Sequence, residues 1–308
     1  MNYPEIFKKA WHITTEHRYL RVLGSLASLF AMLIGILRIR YIWPTPIGTG
    51  RDIWQYLLTH TANPLGWAIL IGVALLALYA LAFIFNVISE GGIISAIAKM
   101  YDHQAQLNFS KTVSLGLQSF LPLTEFRVLT NAFHIGSYIL YILLFRFYLN
   151  IYLPGNTIIQ DFMPLLIIFG VIITLTTILL NYADYHLVIH KSSVIDSIRK
   201  SSLLVVFHLQ ETLLITLLLI LMVIRTLLNL LLIFGLPAIA VYIATFTQVL
   251  LPYTAALAVA ATFVILLFIW SVIISGTLTV FTTAVWTLTF LELEKKQEHK
   301  ILMSEPDL

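Results

Sequence analysis

The stretch Leu65–Ile88, LGWAILIGVALLALYALAFIFNVI, decides the fold class: it runs 24 residues without a charge. A helix needs about 20 apolar residues, each rising 1.5 Å, to cross the hydrocarbon core of a bilayer. Working outward from it, five more runs of this kind lie along the chain. The six expected spans are Leu20–Leu37, Leu65–Ile88, Val128–Leu149, Met163–Ile189, Thr212–Phe234 and Thr254–Leu278. The last is expected to run on as a helix through Leu291, leaving 292–308 as a short charged cytoplasmic tail. The expected fold is an all-α polytopic membrane protein, one integral membrane domain over 1–308, with amphipathic helices at the cytoplasmic interface.

Composition agrees. Of 308 residues, 59% are hydrophobic and 11% charged, with a mean hydropathy of +0.93. A soluble domain carries about 25% charged residues, so the solvent for this chain is lipid. The connections of roughly 10 to 40 residues are too short for a soluble domain with its own core, which takes about 50. Cysteine is absent, which excludes disulfides, a thiol nucleophile and a cysteine metal site. The net charge of +3 reflects membrane orientation and not nucleic-acid binding, since no basic cluster is interleaved with aromatics on a soluble face.

Lysine and arginine orient the spans. Thirteen fall on one side: Lys8, Lys9, Arg18 and Arg21; Lys99, Lys111 and Arg127; Lys191, Arg199 and Lys200; Lys295, Lys296 and Lys300. Four fall on the other, Arg38, Arg40, Arg51 and Arg146, and Arg225 lies within the fifth span. Positive charge stays cytoplasmic, so both termini are expected inside. The first apolar run ends in Arg38-Ile39-Arg40 without a small-x-small cleavage site, and reads as an uncleaved span.

The cytoplasmic connections read as interfacial helices. Pro4 suits a first turn, and Phe7, Ala10, Trp11 and Thr14 recur at helical spacing beside Lys8 and Lys9. Ser193 can cap a second such helix, with Val194, Ile195, Ile198 and Ser202 on one face and Arg199 and Lys200 on the other. Gly91-Gly92 after Glu90 allows a sharp turn onto the surface, opening a third region at Ile93–Leu107. Ser110 is expected to cap a fourth helix at Lys111–Phe120. The rhythm of basic helix, turn, span, outer loop and returning span recurs from near Glu5, Phe109 and Val194. It describes a threefold parallel hairpin repeat, although any six-span chain with both ends inside shows such a rhythm. Among the outer loops, Asp52–Leu58 reads as a short helix. Ala238–Leu251, between Pro237 and Pro252, reads as a re-entrant or surface segment.

Several of these residues carry a resemblance. Glu5-Ile-Phe-Lys-Lys-Ala-Trp11 with the following Leu20–Phe30, Gly91-Gly92-Ile93-Ile94, Val194-Ile-Asp-Ser-Ile-Arg-Lys-Ser201 and Thr287-Leu-Thr-Phe-Leu-Glu-Leu-Glu-Lys-Lys296 are the stretches concerned. They resemble bacterial membrane proteins grouped with the membrane domain of glycerophosphoryl diester phosphodiesterases and with the YciC-like proteins. The resemblance implies a six-helix domain in the bacterial plasma (inner) membrane. It carries no phosphodiesterase activity, because the soluble catalytic domain is missing from this chain.

Arg225 is the sharpest single candidate. A charge near the middle of a span costs about 2.5–3.5 kcal/mol on insertion scales. Thr226 is its neighbour and Asn229 shares its face at i+4. The set reads either as a cationic site for an anionic headgroup or metabolite, or as a structural arginine satisfied within the bundle. Asp184 lies toward the cytoplasmic end of its span and Arg225 slightly outward of centre, so a direct pair is not expected. His186 and His190 share a face at the i, i+4 spacing of two metal ligands, but Asp184 points elsewhere and no third ligand is evident. They read more simply as polar groups at the headgroup boundary. His134, within the third span, is a proton relay or a bonded interior histidine. Glu125, Arg127 and Arg146 read as interfacial anchors. Gly24, Ser25 and Ser28 on the first span, and Ser271, Ser275 and Gly276 on the sixth, permit close helix contact.

No catalytic triad, P-loop, dinucleotide fingerprint or intramembrane-protease pattern is present, so no enzyme and no cofactor are expected. The expected function is to bind or move a lipid or small amphiphile, or to support envelope homeostasis. The alternative is a structural or partner subunit of a membrane complex. Expected partners are membrane lipids, an anionic lipid or metabolite, and a second copy or another membrane protein, with no nucleic acid.

Overall fold

The computed structural model describes residues 2–42, 59, 63–101, 107–130, 142, 158–220 and 253–304. Helix is the only regular structure among them. In chain order the helices are α1 (Tyr3–Glu16), α2 (Arg18–Ile42), α3 (Pro64–Tyr101), α4 (Phe109–Gln118), α5 (Phe120–Thr130), α6 (Ile158–Leu179), α7 (Ala183–Ile189), α8 (Val194–Phe207), α9 (Leu209–Ile220) and α10 (Tyr253–Ser304). They divide between two compact units, Met1–Leu29 with Ala96–Thr112 and Phe207–Leu308, and Phe30–Ser95 with Val113–Val206.

Among the described residues, three helical stretches are long and apolar enough to cross a membrane: Leu65–Tyr101, Pro164–Ile189 and Ile265–Gln297. Val194–Phe207 and Leu209–Ile220, broken at His208, pass the same test as a pair. The first expected span is helical throughout, inside α2. Most of the third expected span, the fifth beyond Ile220, Arg146 and both outer-loop segments lie outside the described residues.

Three of the four expected interfacial helices begin at Tyr3, Phe109 and Val194, and each ends in a one-residue break followed by another helix. The break residues are His17, Ser119 and His208. In each case the break residue's carbonyl accepts an early bond of the next helix, from Leu20, Leu123 and Thr212 respectively. Backbone groups freed at a helix end must find partners, and this device satisfies them without a loop. Phe109 starts its helix because Asn108, not Ser110, caps it: the Lys111 N–H donates to Asn108 Oδ1 at 2.9 Å. Ser193 caps α8 as expected, accepting from the Asp196 N–H at 3.3 Å.

In the first unit, α1 lies along α10. Ile6, Ala10 and Thr14 are buried, while Phe7 and Trp11 flank Phe281 at ring distances of 6.0 and 5.7 Å. The buried stripe is thus turned toward Ile6, and Trp11 stays half exposed. The small residues singled out on α2 and α10 meet each other. A Cβ on Gly24 would lie 2.6 Å from the Gly276 carbonyl oxygen and 2.7 Å from Val280 Cγ2, and one on Gly276 would strike the Ser25 backbone. The Ser28 and Thr279 hydroxyls sit 3.4 Å apart beside this crossing. α10 runs past Leu291 to Ser304, so much of the expected tail is helix. Its 52 residues reach about 78 Å, more than twice the roughly 30 Å hydrocarbon thickness. Beyond the apolar part, Lys296 Nζ donates to Glu211 Oε1 at 2.9 Å.

In the second unit, α3 begins where Asn63 caps it, accepting from the Gly66 N–H at 3.0 Å, with Pro64 at the favoured first position. It does not turn at Gly91-Gly92. The helix continues unbroken to Tyr101, and the glycines serve packing instead. A Cβ on Gly91 would strike the Ser119 hydroxyl and lie 2.9 Å from Leu123 Cδ1. One on Gly116 would strike the Ile88 carbonyl and lie 3.1 Å from the Gly92 nitrogen. Here α3 and α4 touch backbone to backbone, which only glycine allows.

The expected fourth span is two helices, α6 and α7, broken at Leu180–Tyr182. Ser201 of α8 mends the break. Its hydroxyl donates to the Leu179 carbonyl at 2.7 Å and accepts from the Tyr182 N–H at 3.1 Å. This contact turns the buried face of α8 to Val194, Ser197, Ser201, Leu204 and Val205, leaving Ile195 exposed.

Candidate functional site

Polar chemistry in the second unit gathers where α3, α5, α7 and the start of α8 come together. Asn86 and Glu90 stand at i, i+4 on one face of α3. α5 brings Arg127 against them: its guanidinium pairs with the Glu90 carboxylate and donates to Asn86 Oδ1 at 3.2 Å. The ionic side chains are 28% and 26% exposed, so the pair is neither a solvated surface contact nor a dry one. A guanidinium fork answers a carboxylate and an amide at once, which an ammonium does less well. Arg127 is therefore not a free interfacial anchor, as its position suggested, but a clamp between α3 and α5. The close approach at Gly91 and Gly116 brings the two within reach.

α7 packs on α5. It carries His186, which is buried, and His190, which is exposed, with ring centroids 5.7 Å apart. The i, i+4 juxtaposition expected of the pair is present. Two imidazoles supply half of a tetrahedral metal shell. Asp184, half-buried, is two residues from His186 and so about 200° around the helix. The His186 carbonyl accepts from the Ser192 hydroxyl at 3.0 Å, and Ser192 in turn shares a 2.6 Å hydroxyl contact with Ser197. These bonds tie the end of α7 to the first turn of α8.

Between the two helices the chain passes through Lys191, whose φ is +53°. Only glycine, and sometimes asparagine, takes this left-handed conformation easily after a helix; another residue pays about 1–2 kcal/mol. The geometry sets Lys191 on the wall of an open groove of about 490 Å³. Leu121, Pro122 and Glu125 of α5 form one side, and Lys191 to Ile195 the other. Glu125 and Lys191 are both exposed, and neither makes an ion pair among the described residues. On α8, the Lys200 ammonium hydrogen-bonded to Asp196 at 2.8 Å holds that carboxyl below its usual range.

Of the residues singled out from sequence, Asp184, His186 and His190 lie in this assembly. Arg225, Thr226, Asn229 and His134 lie outside the described residues. Sequence reasoning missed the Glu90–Arg127–Asn86 clamp, although Asn86 and Glu90 at i, i+4 near the end of an apolar run were a signal for it. It also missed Lys191, whose left-handed backbone leaves no sequence mark. Comparison with protein-family models, curated proteins and solved structures finds no match.

Proposed function

We propose that this chain is a six-span protein of the bacterial plasma membrane with both termini cytoplasmic. In this reading it belongs with the membrane domains resembling the YciC-like family, binds or moves a lipid or small amphiphile, and does so without catalysis. The observation that carries the reading is the polar junction at Asn86 and Glu90, within α3. No described side chain from Leu65 to Leu81 is buried, so that stretch faces lipid. About two and a half turns further on, the same helix reaches the Glu90–Arg127 clamp, and α5, which carries Arg127, also lines the groove. Polar groups held where a lipid-facing stretch gives way to protein contact are where an amphiphile's head would be met. The charge asymmetry supports the orientation. The threefold helix–break–helix device supports a parallel repeat. Arg225, with Thr226 and Asn229, remains the proposed cationic contact inside the bundle.

Native mass spectrometry of the purified protein beside Arg225→Leu tests the reading. The expected result is a co-purified lipid or metabolite, reduced in the variant. A bare chain in both samples overturns it, and a persistent second polypeptide replaces it with the subunit role.

A further inference from the structure

We infer that the groove between α5 and the start of α8 is a binding site for the phosphoethanolamine headgroup of a zwitterionic membrane phospholipid, with Lys191 receiving the phosphate and Glu125 the ammonium. The inference rests on the lipid-binding reading above and deepens it. Three observations carry it.

The first is charge. The groove holds one cationic and one anionic side chain on opposite walls, Lys191 and Glu125, and they do not pair with each other. Two opposite charges facing one cavity unpaired match a ligand that carries both signs. A net anion would meet repulsion from Glu125, and a simple cation repulsion from Lys191. Ethanolamine carries N–H donors for the carboxylate, which a trimethylammonium lacks; a charge-assisted hydrogen bond outweighs bare ion contact.

The second is the rim. Leu121 and Ile195, one from each wall, are 75% and 80% exposed. Large apolar side chains so placed beside a charged pocket suit the boundary where acyl chains meet headgroups. This decides for a membrane lipid over a soluble phosphoethanolamine.

The third is depth and size. The groove starts two residues after Ile189, the end of the candidate span Pro164–Ile189. At about 490 Å³ it falls in the ordinary range for small-molecule pockets. That fits a headgroup, not a whole lipid. The Ser193 cap takes the Asp196 amide, leaving those of Val194 and Ile195 in the first turn of α8 free of it.

The test uses the full chain, reconstituted with equal parts of phosphatidylethanolamine, phosphatidylglycerol and phosphatidylcholine, then stripped gradually and weighed by native mass spectrometry. The wild type is expected to keep phosphatidylethanolamine about fivefold over either competitor, the scale of one exposed charge contact. Glu125→Gln should erase the preference over phosphatidylcholine, and Lys191→Gln should lower retention of both zwitterionic lipids. Glu125→Lys, an independent change at an exposed position, should turn the preference toward phosphatidylglycerol. If the wild type prefers phosphatidylglycerol, or the variants keep the wild-type pattern, the groove assignment is overturned while lipid binding stands. If no sample retains lipid or amphiphile, both fall.

Discussion

The two halves of α3 have opposite surroundings. From Leu65 to Leu81 no described side chain is buried, and Leu76 is 72% exposed. From Ala82 to Ala98 most are at least half covered, and Val87, Ile93, Ile94, Ala96 and Ile97 are fully buried. Apolar character is not what buries a half, since the more apolar first half is the exposed one; a solvent as apolar as leucine drives no helix together. What separates them is small and polar residues. The buried half contains Asn86, Ser89, Glu90, Gly91 and Gly92, which admit another backbone and bind it. The exposed half has Gly66 at its cap and Gly72, around which nothing lies within 4 Å.

The sharpest way to break this contrast is to add one methyl group against the buried half and one within the exposed half. Gly116→Ala places a Cβ against the Ile88 and Gly92 backbone of the buried half. Backbone cannot swing aside, so a loss of about 3 kcal/mol or outright misfolding is expected. Gly72→Ala meets nothing and should be neutral or gain up to about 1 kcal/mol of helix propensity. Reversible unfolding in mixed micelles compares the two; equal effects would show that α3 is not divided in this way.

Next in size is the clamp. Arg127→Leu leaves Glu90 half-buried without its partner. At 28% and 26% exposure the cost falls between that of surface and buried pairs, about 1–3 kcal/mol. A double-mutant cycle with Glu90→Gln should show coupling, and additivity would remove the clamp from the fold. A smaller contrast compares truncations: Val87→Ala should cost about 1–2 kcal/mol through the cavity it leaves. Leu76→Ala should change stability by less than about 0.5 kcal/mol, as at a site without protein neighbours.

The smallest expected effect concerns an ion pair with the same chemistry as the clamp but no cover. Lys9 and Glu5 of α1 lie 3.0 Å apart, both about half exposed. The hydrogen bond and charge of Lys9 hold the Glu5 carboxyl below its usual range. Its contribution is therefore present above the ordinary glutamate value and is lost as pH falls through the lowered one. A spin label at Lys8 should show α1 slightly more mobile between neutral pH and pH of about 3, with the Glu5→Gln variant flat. A large change would mean that exposed pairs matter here as much as the clamp.

How much was legible in the sequence depends on the range of the interaction. Ser193 was recognisable as a cap because its partner, Asp196, is three residues away. The Gly24 and Gly276 contact was recognisable because small residues in a span have few other uses. Gly91-Gly92 carries the same signal but was read as a turn, because a glycine pair near a span's end serves either purpose. Only Gly116, lying against the Ile88 and Gly92 backbone, decides between them. Arg127 looked like a boundary cation because Glu90 lies far from it in sequence.

The helical class, the length of the apolar runs and the uneven spread of lysine and arginine between them were legible without a partner residue. Those follow from transfer energies and charge counts, which sum over residues without regard to partners. The tertiary structure alone decided which half of α3 meets protein, that Ser201 mends the break between α6 and α7, and that Glu125 and Lys191 face one groove. Each of these depends on groups from distant segments meeting within a few ångströms, and no local pattern records such a meeting.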